Sequence, residues 1–248
     1  MTVKTPSYSL RFMGTGSGGE LAMGCSAAVL EQNGKPQLLI DCGPGTLGAY
    51  QHCYGSLPEA IFLTHCHLDH IADLEILTVR VRLQQRPPVR LYVPLSLITL
   101  LHQRLATYPG CMAEGGHNFW DSFQLIPVVD DFLHNDLTLR LNPARHHAPG
   151  SAFSLHLPGV FFYSGDTRPV PEVLAHVLSG SEVVFHDCGL IANPSHTGLE
   201  DLAREYSPQL LRQFVLYHYA NEAAATALTD AGYRVARPGD CIALPSIQ

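Results

Sequence analysis

The most constraining feature of this sequence is a cluster of potential metal ligands that directly follows a short apolar segment. The segment Ala60–Leu63 predicts a buried strand. Three histidines and one aspartate then occur within six positions, namely His65, His67, Asp69 and His70. Because side chains alternate along an extended chain, His65 and His67 point to the same side. Such a cluster predicts a metal site at the end of a strand.

The cluster holds more ligands than one tetrahedral ion accepts when one position must stay open for water. Imidazole nitrogen suits zinc and related transition metals, and carboxylate oxygen suits the harder members of that series. The segment therefore predicts two neighbouring divalent ions, with Zn²⁺ favoured and Mn²⁺ as the alternative. A surface loop of scattered polar residues would lack the apolar strand before the cluster and the apolar helix after it.

Short strands and helices alternate along the remainder of the chain. Predicted strands cover Ser7–Met13, Ala27–Glu31, Gln37–Ile40, Val89–Val93, Phe123–Val128, Leu137–Leu141, Ala152–Leu157, Val160–Ser164, Glu182–His186 and Gln213–Tyr217. Predicted helices cover Ile71–Gln85, Leu95–Leu105, Pro171–Leu178, Leu199–Tyr206 and Glu222–Ala231. No repeat or linker interrupts this pattern, so residues 1–248 are interpreted as one domain with two mixed sheets and helices outside them.

The motif His65-x-His67-x-Asp69-His70 resembles the signature of the metallo-β-lactamase superfamily. The resemblance implies an αββα sandwich with a dinuclear metal site at the sheet edges. It also implies three later ligands that follow strands: His146 for the first metal, Asp166 as the bridging carboxylate and His218 for the second metal. Related sequences place a small and then an aromatic residue seven positions after the ligand. Ala152-Phe153 therefore favours His146, and His147 is interpreted as a neighbour that faces solvent or substrate.

Two further segments are similar to ribonuclease Z and its relatives. Met13–Ser17 and Leu39–Thr46 resemble the opening of those enzymes, and Asp41 in the second segment can orient a ligand histidine. Asp187 and the segment Ser195–Thr197 resemble the acid–base pair of the ribonuclease Z and cyclic-phosphodiesterase branch. Ribonuclease Z has a glutamate where Asp187 stands, which places this chain nearer to the cyclic phosphodiesterases.

The resemblance implies a mechanism of phosphodiester hydrolysis. A hydroxide that bridges the two metals would attack phosphorus, and Asp69 would orient it while binding the second metal. His196, held by Asp187, would protonate the leaving oxygen. Arg168 or an arginine among Arg80, Arg82, Arg86 and Arg90 could bind a phosphate, although a solvated surface is the preferred interpretation of each.

The chain lacks the features with which ribonuclease Z holds tRNA. Ribonuclease Z carries a long arm between the third histidine motif and the bridging aspartate, whereas only twenty positions separate His146 from Asp166. The formal net charge is -7, and Lys4 and Lys35 are the only lysines. Because phosphate contacts dominate the binding of long nucleic acids, these features disfavour tRNA and favour a small-molecule phosphodiester.

Three functional hypotheses remain open on the sequence. The leading one is a phosphodiesterase for small or cyclic nucleotide-like diesters. The same metal ligands also suit a lactonase or thioesterase, and a ribonuclease Z-like RNA endonuclease is a further alternative. Residues 108–121 could form a lid whose Phe119 or Trp120 stacks on a base, or these rings could pack the loop down.

Composition bears on the compartment. No apolar run approaches the ~20 residues that a membrane-spanning helix needs. The first ten residues lack the layout of a signal peptide. The seven cysteines include no Cys-x-x-Cys pair, which argues against a disulfide framework. These features predict a cytoplasmic protein without membrane contact, and relatives suggest a homodimer.

Overall fold

A computed structural model describes residues 6–20, 22–107 and 116–247, which form two seven-stranded sheets. The first sheet contains β1 (Tyr8–Gly14), β2 (Ala27–Gln32), β3 (Lys35–Ile40), β4 (Ala60–Phe62), β5 (Val89–Pro94), β6 (Phe123–Val128) and β14 (Cys241–Ala243). The second contains β7 (Asp131–His134), β8 (Leu137–Pro143), β9 (Phe153–Leu157), β10 (Phe161–Tyr163), β11 (Val183–Asp187), β12 (Phe214–Tyr217) and β13 (Arg234–Val235).

Helices cover both outer faces of the sheet pair. They are α1 (Thr46–Tyr54), α2 (Leu68–Ile71), α3 (Asp73–Leu83), α4 (Ile98–Leu101), α5 (Pro171–Val177), α6 (Leu199–Glu205), α7 (Pro208–Leu211) and α8 (Glu222–Asp230). Short 3₁₀ turns occupy Leu95–Leu97 and Phe119–Ser122, and a π-helical turn occupies His102–Ala106. Within the described parts of the chain, no helix combines the length and the apolar character that a membrane crossing requires.

Each sheet is antiparallel in one half and parallel in the other. In the first sheet, the order is β14-β1-β2-β3-β4-β5-β6, and pairing is parallel from β3 to β6. In the second, the order is β13-β12-β11-β10-β9-β8-β7, and pairing is parallel from β10 to β13. The carboxyl ends of parallel strands meet at one edge, where open α/β sheets bind their ligands.

Three apolar clusters hold the layers together. The central cluster lies between the sheets and includes Phe12, Phe62 and Tyr217. The other two clusters lie between a sheet and its outer helices: one packs α1 and α3 on the first sheet, and the other packs α5, α6 and α8 on the second. Because every sheet face is covered, the parallel strands are apolar on both sides, as observed for β4 and β12.

The αββα sandwich confirms the predicted fold class. A two-residue turn joins β2 to β3, and its residues Asn33 and Gly34 both have positive φ angles (53° and 73°), as a type I′ turn requires. The helix predicted for Ile71–Gln85 corresponds mainly to α3, which begins at Asp73. Ile71 is the last residue of the separate short helix α2. The sequence patterns did not predict α1, α7, β7, β13 or β14.

The segment that was predicted as a lid or a packed loop is described only in part. Residues 108–115 lie outside the described residues, whereas 116–121 are placed. Phe119 is buried against Phe123, with ring centroids 4.7 Å apart. Trp120 donates its indole N–H to His102 Nδ1 at 3.1 Å. Both rings therefore pack the described part of this loop against the protein.

Candidate metal centre

The seven predicted ligands come together at the sheet edge where the parallel strands end. His65, His67, Asp69 and His70 follow β4, and the last two lie in the short helix α2 that precedes α3. From the second sheet, Asp166 follows β10 and His218 directly follows β12. His146 follows β8. The centre is thus built by both sheets, and neither sheet alone carries all of its side chains.

The carboxylate of Asp166 lies at the middle of this group. Its Oδ2 atom is 3.2 Å from His218 Nε2 and 3.3 Å from His70 Nε2. The same oxygen is 3.6 Å from His65 Nε2 and 3.9 Å from His146 Nε2. Four imidazole nitrogens from three segments therefore converge on one buried carboxylate.

The potential ligand atoms form two sets that share Asp166. The atoms of each set lie within 4.8 Å of one another. The first set is His65, His67, His146 and Asp166, and the second is Asp69, His70, Asp166 and His218. A shared carboxylate between two such sets is the arrangement that two neighbouring cations require.

Hydrogen bonds on the outer side of the rings fix the tautomers of four histidines. His65 Nδ1 lies 3.0 Å from Thr64 Oγ1, and His70 Nδ1 lies 2.8 Å from Asp41 Oδ2. His146 Nδ1 lies 3.1 Å from the Ser195 carbonyl oxygen, and His218 Nδ1 lies 3.2 Å from Asp187 Oδ1. Each of these oxygens can accept the Nδ1 proton, which leaves the Nε2 lone pair pointing inward.

Three of these four inward-pointing nitrogens lack a hydrogen-bond partner among the described residues. Within the described residues, His65 Nε2, His70 Nε2, His218 Nε2 and Asp166 Oδ1 are buried polar atoms without one. Such atoms cost free energy unless something pairs with them. Neutral imidazole nitrogens and carboxylate oxygens are the ligands that zinc, manganese and iron accept, so the donor set fits a pair of divalent cations.

His67 faces the centre with its Nδ1 atom, whereas the four histidines described above face it with Nε2. Its Nδ1 atom lies 3.1 Å from His146 Nε2, whereas its Nε2 atom lies 3.0 Å from His147 Nε2. His147 is exposed and belongs to neither ligand set. The structure therefore places His146 in the first set, and places His147 outside it in contact with the His67 ring.

Charges at the centre favour a bound cation. Burial lowers the pKa of His146 to about 4, and it also lowers the pKa of His65. Burial opposes protonation of His70 and His218 as well, but the neighbouring carboxylates outweigh it. They raise the pKa of His70 and raise that of His218 to about 10. A divalent cation would compete with these protons for the same nitrogens.

His196 lies beside the ligand sets and is held by Asp187. Its Nδ1 atom is 2.7 Å from Asp187 Oδ2, which also accepts the Thr167 backbone N–H at 2.8 Å. The His196 ring stacks on that of His218, with centroids 4.7 Å apart. Nε2 of His196 is thereby left as the atom that can exchange a proton with a substrate. His186, in contrast, is buried and bonds to Tyr206 Oη at 2.8 Å.

Two residues at the centre have left-handed backbone conformations. Asp41 and His218 have φ angles of 62° and 67°. Asp41 directly follows β3, and His218 directly follows β12. The His218 backbone N–H is held by the Thr15 carbonyl at 2.8 Å. This conformation costs about 1–3 kcal/mol for a side chain other than glycine, and such residues cluster at functional sites.

Close packing of backbones explains one glycine of the Leu39–Thr46 segment. A Cβ atom on Gly43 would overlap the carbonyl oxygen of Asp69. The Cys42 N–H donates to the His70 carbonyl at 2.7 Å, and the Asp73 N–H donates to the Cys42 carbonyl at 3.0 Å. The loop after β3 therefore fixes the backbone of the histidine motif.

The sequence patterns missed Thr64. Its hydroxyl donates to Asp41 Oδ2 at 2.7 Å and contacts His65 Nδ1, so it connects the buried carboxylate to the ligand ring. A hydroxyl residue directly before the first histidine was the available signal.

Three of the five arginines that were considered as phosphate ligands, Arg80, Arg90 and Arg168, have side-chain contacts with other residues. Arg168 donates to the Asn193 carbonyl at 3.1 Å, so it holds the loop that carries His196. Arg90 pairs with Ala60, at the start of β4 and away from the motif that follows this strand. Neither arginine belongs to the ligand sets.

Solved structures share the fold of this chain. The chain is similar to the metallo-β-lactamase fold protein YhfI from Bacillus subtilis, with a TM-score of 0.71 at 15% identity over 96% of this chain and 99% of that one. It is also similar to a diphosphatase of the PhnP family, with a TM-score of 0.75 at 16% identity over 95% and 97%. Fold and site together define a metal-dependent hydrolase of the phosphodiesterase type.

Within that class, the chain belongs to the Anti-Pycsar protein Apyc1 family, whose model matches residues 8–242. A relative from Paenibacillus harenae with that name is 31% identical over 73% of this chain and 77% of its own length. One from Paenibacillus xerothermodurans is 29% identical over 87% and 89%. A ribonuclease Z from Pseudomonas putida is 38% identical over 39% of this chain and 32% of its own length. The predicted superfamily and branch are confirmed.

Proposed function

We propose that this chain hydrolyses small, cyclic nucleotide-like phosphodiesters at a centre of two divalent metal ions, with zinc preferred and manganese as the alternative. The proposed ligands are His65, His67, Asp69, His70, His146, Asp166 and His218. Asp69, His196 and Asp187 are the proposed catalytic group.

One observation carries this proposal. Four imidazole nitrogens from three separate segments converge within 4 Å of Asp166 Oδ2, and the outer nitrogen of each ring contacts an oxygen acceptor. Burial of several imidazole nitrogens whose acceptor atoms face each other costs free energy, and apolar packing does not offset this cost. A pair of cations does.

The cations would supply a water of lowered pKa as the nucleophile, and they would neutralise charge on the phosphoryl oxygens. Asp69 lies at the open side of the second set, 20% exposed, with Oδ2 3.3 Å from His70 Nε2. From this position its carboxylate can accept a hydrogen bond from the attacking water. His196 can donate its Nε2 proton to the leaving oxygen as the phosphorus–oxygen bond breaks, while Asp187 stabilises the protonated ring.

A small substrate is supported by three features. A single hairpin of β9 and β10 fills most of the twenty positions between His146 and Asp166, so no tRNA-holding arm projects there. The negative net charge opposes the binding of long nucleic acids. Membership of the Anti-Pycsar family supports a nucleotide-type diester over a lactone or thioester.

A substrate panel tests the proposal. The purified protein is assayed with bis-p-nitrophenyl phosphate, 3′,5′-cyclic nucleotides, a precursor tRNA, a lactone and a thioester, after metal removal and reloading with Zn²⁺ or Mn²⁺. We expect hydrolysis of the synthetic diester and the cyclic nucleotides only, and only with metal restored. Turnover confined to the lactone or the thioester would reject phosphodiester chemistry, and cleavage of the tRNA alone would reject a small substrate.

The metal assignment has a separate readout. We expect about two metal ions per chain by elemental analysis of protein purified without a histidine tag. Substitution of Asp166 by asparagine should lower this content, because that residue belongs to both ligand sets. The homodimer suggested by relatives stays a prediction, which light scattering would test.

A further inference from the structure

A pocket lies beside the proposed acid His196. It has a volume of about 520 Å³ and lies between the loop after β11 and the start of α8. Its walls include His196 and His218, so it opens directly onto the metal centre. The other lining residues are Ser17, Gly189, Leu190, Ile191, Asn193, Ala220, Asn221, Ala223 and Ala224.

The wall chemistry of this pocket is neutral and largely apolar. Apart from the two histidines, the described residues that line it carry no ionisable side chain. A second pocket, next to His146 on the other side of the centre, is lined by Arg145, Arg168 and Glu172. A group with an additional phosphate would find no lysine or arginine to pair with in the first pocket. An uncharged ring would enter it at a small cost in hydration free energy.

Two large apolar side chains are exposed at this pocket. Leu190 is 40% exposed and Ile191 is 84% exposed. Exposed apolar surface beside a concave site is typical of a binding surface, because a flat ligand covers it on binding. Leu190 and Ile191 follow β11 and precede the His196 segment, so a ligand that covers them also adjoins the acid.

Two asparagines supply hydrogen-bond donors at the same pocket. Asn221 Oδ1 accepts the Ala224 N–H at 2.9 Å, and Asn193 Oδ1 accepts the Ser195 N–H at 2.8 Å. Since these carbonyl oxygens are engaged, the amide nitrogens remain as donors for a ligand. A nucleobase combines a flat apolar face with acceptor atoms on its edge, which matches this wall.

We infer that this pocket binds the base and sugar of a nucleoside on the leaving-group side of the substrate. The assignment rests on the proposed function, because His196 defines which oxygen leaves. His196 lines this pocket and is absent from the walls of the second one. The oxygen that receives its proton therefore belongs to the group that occupies this pocket, and Leu190 and Ile191 contact the face of the base.

The test compares two inhibitors that differ only by the base. Hydrolysis of bis-p-nitrophenyl phosphate is measured with adenosine 5′-monophosphate or ribose 5-phosphate as competitor. We expect the nucleotide to inhibit about ten times more tightly, because its base covers apolar surface of Leu190 and Ile191. Ala223→Trp, which fills the pocket from an exposed helix position, should remove this difference, and Ile191→Ala should reduce it.

A matched control is Leu133→Ala, which trims another exposed leucine, on β7 and outside the pocket walls. It should leave both inhibition constants unchanged. Equal inhibition by the two compounds in the unmodified protein would overturn the inference, as would a base preference that survives Ala223→Trp. Both results leave diester hydrolysis intact, so they are distinct from failure of the proposed function, in which no diester is cleaved.

Discussion

The carboxylate of Asp187 lies between two histidines with different proposed tasks. One oxygen is 2.7 Å from Nδ1 of the acid His196, and the other is 3.2 Å from Nδ1 of the ligand His218. Burial opposes ionisation of Asp187, but the two imidazoles outweigh it and lower its pKa. A change at Asp187 would disturb metal binding and proton transfer together. His196 is the position that separates the two.

His196→Ala should slow hydrolysis in proportion to how much the leaving oxygen needs a proton. For a cyclic nucleotide, whose leaving group is an alkoxide, we expect kcat to fall by roughly 10²–10⁴-fold. For bis-p-nitrophenyl phosphate, whose phenolate leaves unprotonated, the loss should be below about tenfold. Steady-state kinetics on both substrates measure the contrast, with the exposed His176→Ala as control. Equal losses on both substrates would show that His196 is not the acid.

Asp41→Asn should weaken metal binding without removing a ligand. The buried carboxylate accepts the Nδ1 proton of His70, and an amide in its place stabilises this orientation less well. We expect metal affinity to fall by about 10–100-fold, measured by competition with a chromogenic chelator. Asp131→Asn, an exposed position on β7, is the control. An unchanged affinity would contradict the assigned role of Asp41.

The residues of the centre were predictable to different degrees. The ligands after β4 are adjacent in sequence, so their chemistry is visible without a structure, whereas His146, Asp166 and His218 were assigned only by resemblance. The left-handed conformation of His218 depends on the Thr15 carbonyl, about 200 positions away, and no local pattern encodes such a contact. The contact of His147 with His67 is hidden for the same reason.

At the scale of elements, the loop after β3 supports the motif loop after β4 by direct backbone contact. Gly43→Ala should therefore destabilise the protein by at least ~3 kcal/mol, because its Cβ would displace the Asp69 backbone. Denaturant unfolding measures this. Gly48→Ala is the control: it lies inside α1 with open space around it, and should stabilise by about 0.5–1 kcal/mol. A neutral Gly43→Ala would refute the contact.

Glu182 links the turn before β10 to the start of β11. Its carboxylate accepts backbone N–H groups of Gly159, Ser179, Gly180 and Ser181. Burial opposes ionisation, but these donors outweigh it and lower the pKa of Glu182 from its ordinary value of 4.5 to about 2. Because the folded pKa is the lower one, the stabilisation is complete above about pH 4.5 and is lost as the pH falls towards 2.

Glu182→Gln should therefore flatten the acid limb of the stability curve. We expect a lower melting temperature at neutral pH and a weaker pH dependence between about 4.5 and 2, followed by circular dichroism. The exposed Glu59→Gln should keep the slope of the unmodified protein. An unaltered slope in Glu182→Gln would mean that other groups dominate acid unfolding.

Most regular elements were predictable, although the nine-residue helix α1 was missed, as were the short strands at the sheet edges. Strand β2 and helices α5, α6 and α8 agree with the sequence patterns to within one or two residues. Strands β13 and β14 have two and three residues, and β14 pairs with a strand more than 200 positions earlier. Such short segments carry no periodicity, and only the sheet edge beside them makes them strands.

At the scale of the whole molecule, the metal centre joins the two sheets. Removal of metal by a chelator should therefore lower the melting temperature of the entire fold in one transition. At a metal concentration 100 times the dissociation constant, the bound state gains about 2.7 kcal/mol. Differential scanning calorimetry before and after chelation measures the loss, and re-addition of Zn²⁺ should reverse it. Asp166→Asn should show little response to the chelator. A melting temperature insensitive to chelation would contradict a structural link.

The αββα architecture itself was predicted by resemblance rather than by pattern. Periodicity indicates strands and helices, but it does not specify which strands pair. Here, the parallel and antiparallel halves of each sheet depend on contacts between residues far apart in the chain. The clustered motif after β4 was informative because it identifies a known arrangement of the whole chain.

The final strand has a consequence for how the protein is made. Strand β14 pairs with β1, and the His218 N–H donates to the Thr15 carbonyl in the loop after β1, so segments about 200 positions apart meet. On the ribosome, a nascent chain would expose six of the seven proposed ligands before His218 emerges. Complete loading with metal, and hence hydrolysis, would therefore follow synthesis of the segment that carries His218.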